Sequence, residues 1–267
     1  MNCPLCLSSE KITKEFKNST VYICKNCSLE YLKKQQDSDY YQNYCKHFDL
    51  SDSKIDELRN IQYSIHAQHI KKNISHGNLL DVGCSSGELL SRLKNDSNYD
   101  LFGIDPDKDA IDSANQKYGS EISFSNSYLT SFKSDKKFDA FIFRGTFQYL
   151  GIELIESMKK IDSFSKKSSK ILMYSIPNSD SFLYNFLGED WHMFHKLEHT
   201  LIFNRLSILK LCELFNYELI ELSYPYLDTP YSNPKKDYEN LIDMINNKNT
   251  NSFPFWGNIF QAVLEKK

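Results

Sequence analysis

The sequence predicts an α/β fold: a seven-stranded, largely parallel sheet with helices on both faces, preceded by a small cysteine-built unit. Three observations carry this expectation. The stretch Asn78-Leu79-Leu80-Asp81-Val82-Gly83-Cys84-Ser85-Ser86-Gly87-Glu88-Leu89-Leu90 reads as strand, tight turn and helix. From there to the C-terminus, short apolar runs alternate with helical patterns. Two Cys-x-x-Cys pairs stand near the N-terminus.

The bulk properties set limits. At 267 residues and 40% hydrophobic content, the chain can bury one main core and a small appendage. Mean hydropathy is -0.52. No apolar run approaches about 18 residues, so neither a transmembrane helix nor a membrane partner is expected. No apolar segment follows Met1, and the expectation is a cytoplasmic protein. A net charge of -3 and a pI near 6.2 give no global attraction to nucleic acid, so the expected partner is a small-molecule acceptor. The sequence assigns no oligomeric state.

Residues 1–36 are read as a separate zinc ribbon. Cys3 and Cys6 form one knuckle and Cys24 and Cys27 the other, the spacing in which four thiolates close a tetrahedral structural site. A free-thiol set or an iron–sulfur site are the alternatives, and a reducing compartment favours zinc. Phe16, Val21, Tyr22 and Ile23 supply a hairpin between the knuckles. Residues 37–74 are a helical linker or cap. They carry Tyr40, Tyr41 and Tyr44 at near-helical spacing, then Ile55, Leu58, Ile61, Ile65, Ala67 and Ile70 on an amphipathic helix. Tyr41 and Tyr44 are candidate acceptor contacts, with packing onto the main domain as the alternative.

Residues 75–267 form the main domain. Its first strand ends at Asp81-Val82. Gly83 and Gly87 then let a ligand approach the backbone, and the following helix offers free N–H groups. A second strand, Leu101 to Asp105, ends in an acid. In an open α/β sheet an acid at that place accepts hydrogen bonds from the two hydroxyls of an adenosine ribose. A helix from about Asp107 to Tyr118 follows, then a third strand at Ile122 to Phe124 with Asn126 and Ser127 behind it.

The fourth strand, Phe138 to Phe143, delivers Arg144 and Phe147 where such sheets present ligands. Gly151 to Ile161 makes the next helix, and Lys170 to Ile176 the fifth strand. Leu206 to Phe215 is a helix, Tyr217 to Ser223 a sixth strand, and Asn258 to Glu265 the last. Cys84 is read as a small packing residue. The Pro-, Tyr- and Asn-rich insertion 224–257 is either a lid or a disordered loop, its aromatics favouring a lid.

The series Leu79 to Gly87, then Gly103-Ile104-Asp105, then Phe138 to Phe143, resembles class I S-adenosylmethionine-dependent methyltransferases, with a Rossmann-like sheet. The resemblance implies S-adenosylmethionine as cofactor, held by Asp81, Gly83, Ser85, Gly87 and Asp105, with Asn126 or Ser127 at the adenine and Arg144 and Phe147 flanking it. Ser85 stands where the family usually has a glycine. The ribbon and Tyr segment resemble a subgroup that modifies sugars and other small metabolites. A nucleotide-linked sugar or another surface-glycan precursor is therefore the expected acceptor.

The stretch Gly188 to Arg205 resembles that subgroup's segment after the fifth strand. It contributes Trp191, with Trp256 further on, as candidate acceptor contacts. His195 or His199 is the candidate base for a hydroxyl acceptor, since histidine titrates near neutral pH; O-methylation is preferred on that argument. Two other readings remain at this point: an RNA-base methyltransferase with a ribbon that binds RNA, and a non-catalytic cofactor-binding scaffold.

Overall fold

The computed structural model describes residues 1–32, 53–194, 201–247 and 253–267. Strands β1 (Lys11–Glu15) and β2 (Thr20–Cys24) form the hairpin between the knuckles, and β3 (Glu30–Leu32) pairs with β2. After them comes the long helix α1 (Ser53–Asn73). The main sheet then begins with β4 (Gly77–Val82), the four-residue helix α2 (Glu88–Ser91), β5 (Tyr99–Asp105), α3 (Lys108–Tyr118) and β6 (Ser123–Asn126).

Strand β7 (Phe138–Arg144), helix α4 (Leu154–Phe164) and β8 (Ser165–Pro177) continue it. Then follow α5 (Phe182–Leu187), the two-residue strand β9 (Leu201–Ile202), α6 (Arg205–Phe215), β10 (Tyr217–Ser223), α7 (Pro234–Asn247) and β11 (Ile259–Lys266).

The expected seven-stranded sheet is present, in the order β10-β11-β8-β7-β4-β5-β6. Strands β4 to β8 pair in parallel, and β11 enters antiparallel between β8 and β10. Because β4 pairs with both β5 and β7, the strand order reverses there, and a crevice opens beyond the carboxyl ends. One sheet face packs Leu80, Phe141, Phe143 and Met173 against α4 and α6, and the other packs Leu79, Ile142 and Leu172 against Ala67 and Ile70 of α1. Strands buried on both faces explain why these segments read as continuous apolar runs.

Strand and helix ends shift by a few residues from expectation, β8 starting at Ser165 and α4 at Leu154, and two elements differ more. The helix after the glycine turn is a single turn, and the insertion 224–257 holds the fourteen-residue helix α7. Pro234 fits the first helical position, where its missing N–H costs nothing, and Met244 is buried below it with Leu241 partly so. Among the described residues no helix is long and apolar enough to cross a membrane.

The ribbon does not stand apart. β9, from the segment following β8, pairs antiparallel with β3 (Tyr31 opposite Leu201, Glu30 opposite Ile202) and completes a four-stranded sheet β1-β2-β3-β9. Leu5, Leu29 and Tyr31 share one buried cluster with Phe203, Ile208 and Leu211 of the main domain. Buried polar groups link the same parts. The Tyr184 hydroxyl donates to the Glu30 carboxylate at 2.5 Å, and the Glu189 carboxylate accepts from the Asn18 backbone N–H (3.1 Å), the Asn18 amide (3.1 Å) and the Ser19 hydroxyl (3.3 Å).

Candidate functional site

At the carboxyl ends of β4, β5 and β7 lies a cavity of about 610 Å³. Its walls bring together most of the residues expected from the sequence: Asp81, Gly83, Ser85, Asp105, Ser127 and Arg144. Gly83 and Gly87 have φ of 78° and 80°, in the left-handed region that side chains avoid. Ser85 adopts φ 49° without that freedom, and its N–H donates to Asp105 Oδ2 at 2.9 Å. The Asp107 N–H holds the other oxygen at 2.8 Å. Two backbone bonds thus fix the carboxylate at the end of β5 and leave its remaining lone pairs for a ligand.

A methyl group at position 83 would fall 2.3 Å from Thr146 Cγ2, whose hydroxyl donates to the Val82 carbonyl at 2.7 Å. Gly83→Ala is therefore expected to destabilise the protein by about 1–3 kcal/mol, read as a lowered thermal midpoint. An unchanged midpoint would show that this turn is not strained as described.

Asp81 is 2% exposed, and its Oδ1 has no partner among the described residues. Burial raises its pKa to about 7, with Arg144 opposing the rise and Asp105 adding to it. Burial likewise raises Asp105 to about 6 against its two backbone bonds. The Arg144 guanidinium rests 4.3 Å from the centroid of the Tyr63 ring, and its buried Nε has no hydrogen-bond partner among the described residues. An unpaired carboxylate and an unpaired guanidinium on one cavity wall complement a zwitterion, the form of the methionyl end of S-adenosylmethionine. Cys84 is buried beside Gly103, and burial pushes its thiol well up, consistent with packing.

Several expected residues sit elsewhere. Phe147 is fully buried against Phe143 (5.0 Å) and Phe203 (5.4 Å), because a single 3-10 turn points it inward and gives the wall to Tyr149 and Leu150. Asn126 is exposed, its amide donating to the carbonyls of Asp105 and Pro106, so Ser127 alone of that pair lines the cavity. Gly87 turns the loop without lining the cavity; a Cβ there would meet Phe124 at 2.7 Å. Trp191 is buried with Val21, Tyr184, Phe194 and Ile202, away from the cavity lining. Trp256 is 61% exposed beside Tyr224 and outside the cavity lining. His195, His199, Tyr41 and Tyr44 lie outside the described residues, as do Tyr40 and Cys45.

The sequence reading missed Asp56, Arg59, Asn60 and Tyr63, which α1 lays along the cavity. Their i, i+3, i+4, i+7 spacing was visible as a polar stripe opposite the apolar face. At the other end, the Sγ atoms of Cys3, Cys6, Cys24 and Cys27 lie within 4.8 Å of one another, Cys3–Cys27 and Cys6–Cys24 at 3.5 Å. Tetrahedral zinc–thiolate bonding places sulfurs about 3.8 Å apart, so the four fit a closed structural zinc site.

A sheet of this order, with a glycine turn after β4 and a fixed acid at the end of β5, defines an enzyme that takes a nucleoside-bearing cofactor across its switch point. The profile of the family described as methyltransferase domain matches residues 48–222, more than half of the chain. The chain belongs to this family and is an S-adenosylmethionine-dependent class I methyltransferase.

Solved structures agree in fold. The plantazolicin methyltransferase BpumL, in complex with a triazolic desmethylPZN analog and SAH, is 18% identical over 86% of this chain and 92% of its own, with a TM-score of 0.57. A Thermotoga maritima methyltransferase described as a possible histamine N-methyltransferase is 12% identical over 86% and 98%, TM-score 0.57. The magnesium protoporphyrin IX methyltransferase ChlM from Synechocystis, with bound SAM, is 11% identical over 86% and 94%, TM-score 0.53. A search of curated proteins gave no match.

Proposed function

We propose that this methyltransferase acts on a small polar metabolite, a nucleotide-linked sugar or another surface-glycan precursor, and that it methylates oxygen. The observation that carries the cofactor half is Asp105, whose carboxylate is held by Ser85 and Asp107 and faces the cavity across the glycine turn. When bound there, S-adenosylmethionine supplies a sulfonium methyl for in-line displacement.

The chain's own residues then do the following. Asp105 accepts from the ribose hydroxyls, Asp81 faces the ammonium, Arg144 the carboxylate, and Ser127 the adenine edge. The backbone of the turn at Gly83, Ser85 and Gly87 lets the cofactor approach. His195 or His199 takes the acceptor's proton as its oxygen attacks the methyl carbon. Tyr41, Tyr44 and Trp256 are the acceptor contacts in this reading. The acceptor class is supported by the likeness of the ribbon, Tyr segment and late His-rich stretch to the sugar-modifying subgroup.

Methyl-labelled S-adenosylmethionine, offered with a panel of nucleotide sugars and separately with bulk transfer and ribosomal RNA, tests the acceptor class. Label in a nucleotide sugar, with the mass gain of one methyl group, is the expected result. Label in RNA alone would overturn it.

The raised carboxyls give a pH dependence. An unfolded aspartate titrates near about 3.9, and both Asp81 and Asp105 titrate above that in the fold. The free fold therefore holds these protons more tightly than the unfolded chain does. Ionising them costs stability, which is recovered as pH falls through about 7 and about 6 toward 4. A ligand that needs both carboxylates charged is opposed by the same protons. S-adenosylhomocysteine affinity is expected to fall about tenfold or more between about pH 8 and about pH 5.5. Calorimetry at the two pH values checks this, and equal affinities would contradict it.

A further inference from the structure

The cavity lining carries three cations, Arg59, Lys117 and Arg144, set among Asp56, Asp81, Glu88 and Asp105. Of its cations, Lys117 is taken by Glu88 at 3.0 Å, which leaves Arg144 and Arg59 on the described lining. Arg144 is assigned above to the cofactor's carboxylate. Arg59 meets Asp56 through one Nη1 at 3.4 Å, a long contact at the exposed rim, and its other donors reach no protein acceptor among the described residues. Helix α1 and the end of β7 therefore bring two guanidinium groups to one cavity.

A guanidinium presents five donors in a rigid fork and no acceptor, so its natural complement is a carboxylate or phosphate held through two oxygens. One such fork serves the cofactor; the second has no cofactor group left to read. We propose that Arg59 forms an oxyanion subsite for the acceptor, and that the acceptor is itself an anion bearing phosphate or carboxylate. This rests on the reading of the cavity as the shared chamber of cofactor and acceptor.

The test is calorimetric titration of pyrophosphate, and separately malonate, into protein saturated with S-adenosylhomocysteine. Wild type is compared with Arg59→Gln and the remote Lys160→Gln control. Binding of at least one anion to the loaded protein is expected, weakened about tenfold or more by Arg59→Gln and unchanged by Lys160→Gln. Preference for pyrophosphate assigns a phosphate acceptor, and preference for malonate a carboxylate.

Retained S-adenosylhomocysteine affinity in each variant shows that the variant is folded. It also separates failure of this subsite from failure of the cofactor reading. Anions that displace S-adenosylhomocysteine, that bind independently of Arg59, or that do not bind at all would each overturn the proposal.

Discussion

Stripping the metal from this protein is expected to destabilise the whole chain and not only its first 32 residues. The four cysteines are buried or nearly so, and with them Leu5, Leu29 and Tyr31 enter the same cluster as Phe203, Ile208 and Leu211. β3 cannot leave without unpairing β9 and stranding Glu30, whose carboxylate accepts from Tyr184 in a buried setting. A structural zinc contributes its binding free energy to folding, and here that energy is shared with the main core. Chelation, or Cys27→Ser, is expected to cost at least about 4 kcal/mol and to lower the midpoint of a single cooperative transition. A separate early transition, with the main midpoint unmoved, would show that the ribbon is an independent module.

Asp105→Ala carries the second large effect. The variant loses the two backbone bonds from Ser85 and Asp107 that shape the turn, and with them the carboxylate proposed to accept from the ribose. Cofactor affinity is expected to fall by about 1.5–3 kcal/mol, roughly tenfold to 150-fold, the usual cost of removing a charged partner from a hydrogen bond. Asn126→Ala is the internal contrast. Its side chain bonds only to the Asp105 and Pro106 carbonyls on the exposed side, and it should change affinity by less than about 0.5 kcal/mol. Calorimetry on the three proteins distinguishes them. Equal losses in both variants would mean that the acid acts by holding the loop and not by touching the ligand.

What the sequence disclosed follows the strength of local constraint. Gly83, Gly87 and Asp105 were legible because a turn that places three strand ends around one cavity needs particular backbone freedom and one acid at a fixed point. The four cysteines were legible because metal geometry dictates their spacing. Phe147 and Trp191, which lie off the cavity lining, illustrate the opposite case: an aromatic near a site has the same sequence signature whether it faces the ligand or the core. Here a 3-10 turn and the ribbon's apolar cluster decided.

The pairing of β3 with β9 joins residues about 170 positions apart through a two-residue strand, which no periodicity can announce. Helix α7 was hidden by the Pro, Asn and Tyr around it. The stripe Asp56, Arg59, Asn60 and Tyr63 was visible as polar spacing, but nothing in the sequence says that the polar face of α1 looks into a cavity and not into solvent.

The central claim is that this chamber holds S-adenosylmethionine behind a zinc-bound ribbon. Titration of zinc-replete wild-type protein with S-adenosylhomocysteine at about pH 8, where Asp81 and Asp105 are ionised, tests it most directly. One site per chain with low-micromolar affinity is expected. No binding heat from folded protein carrying one zinc per chain would contradict it.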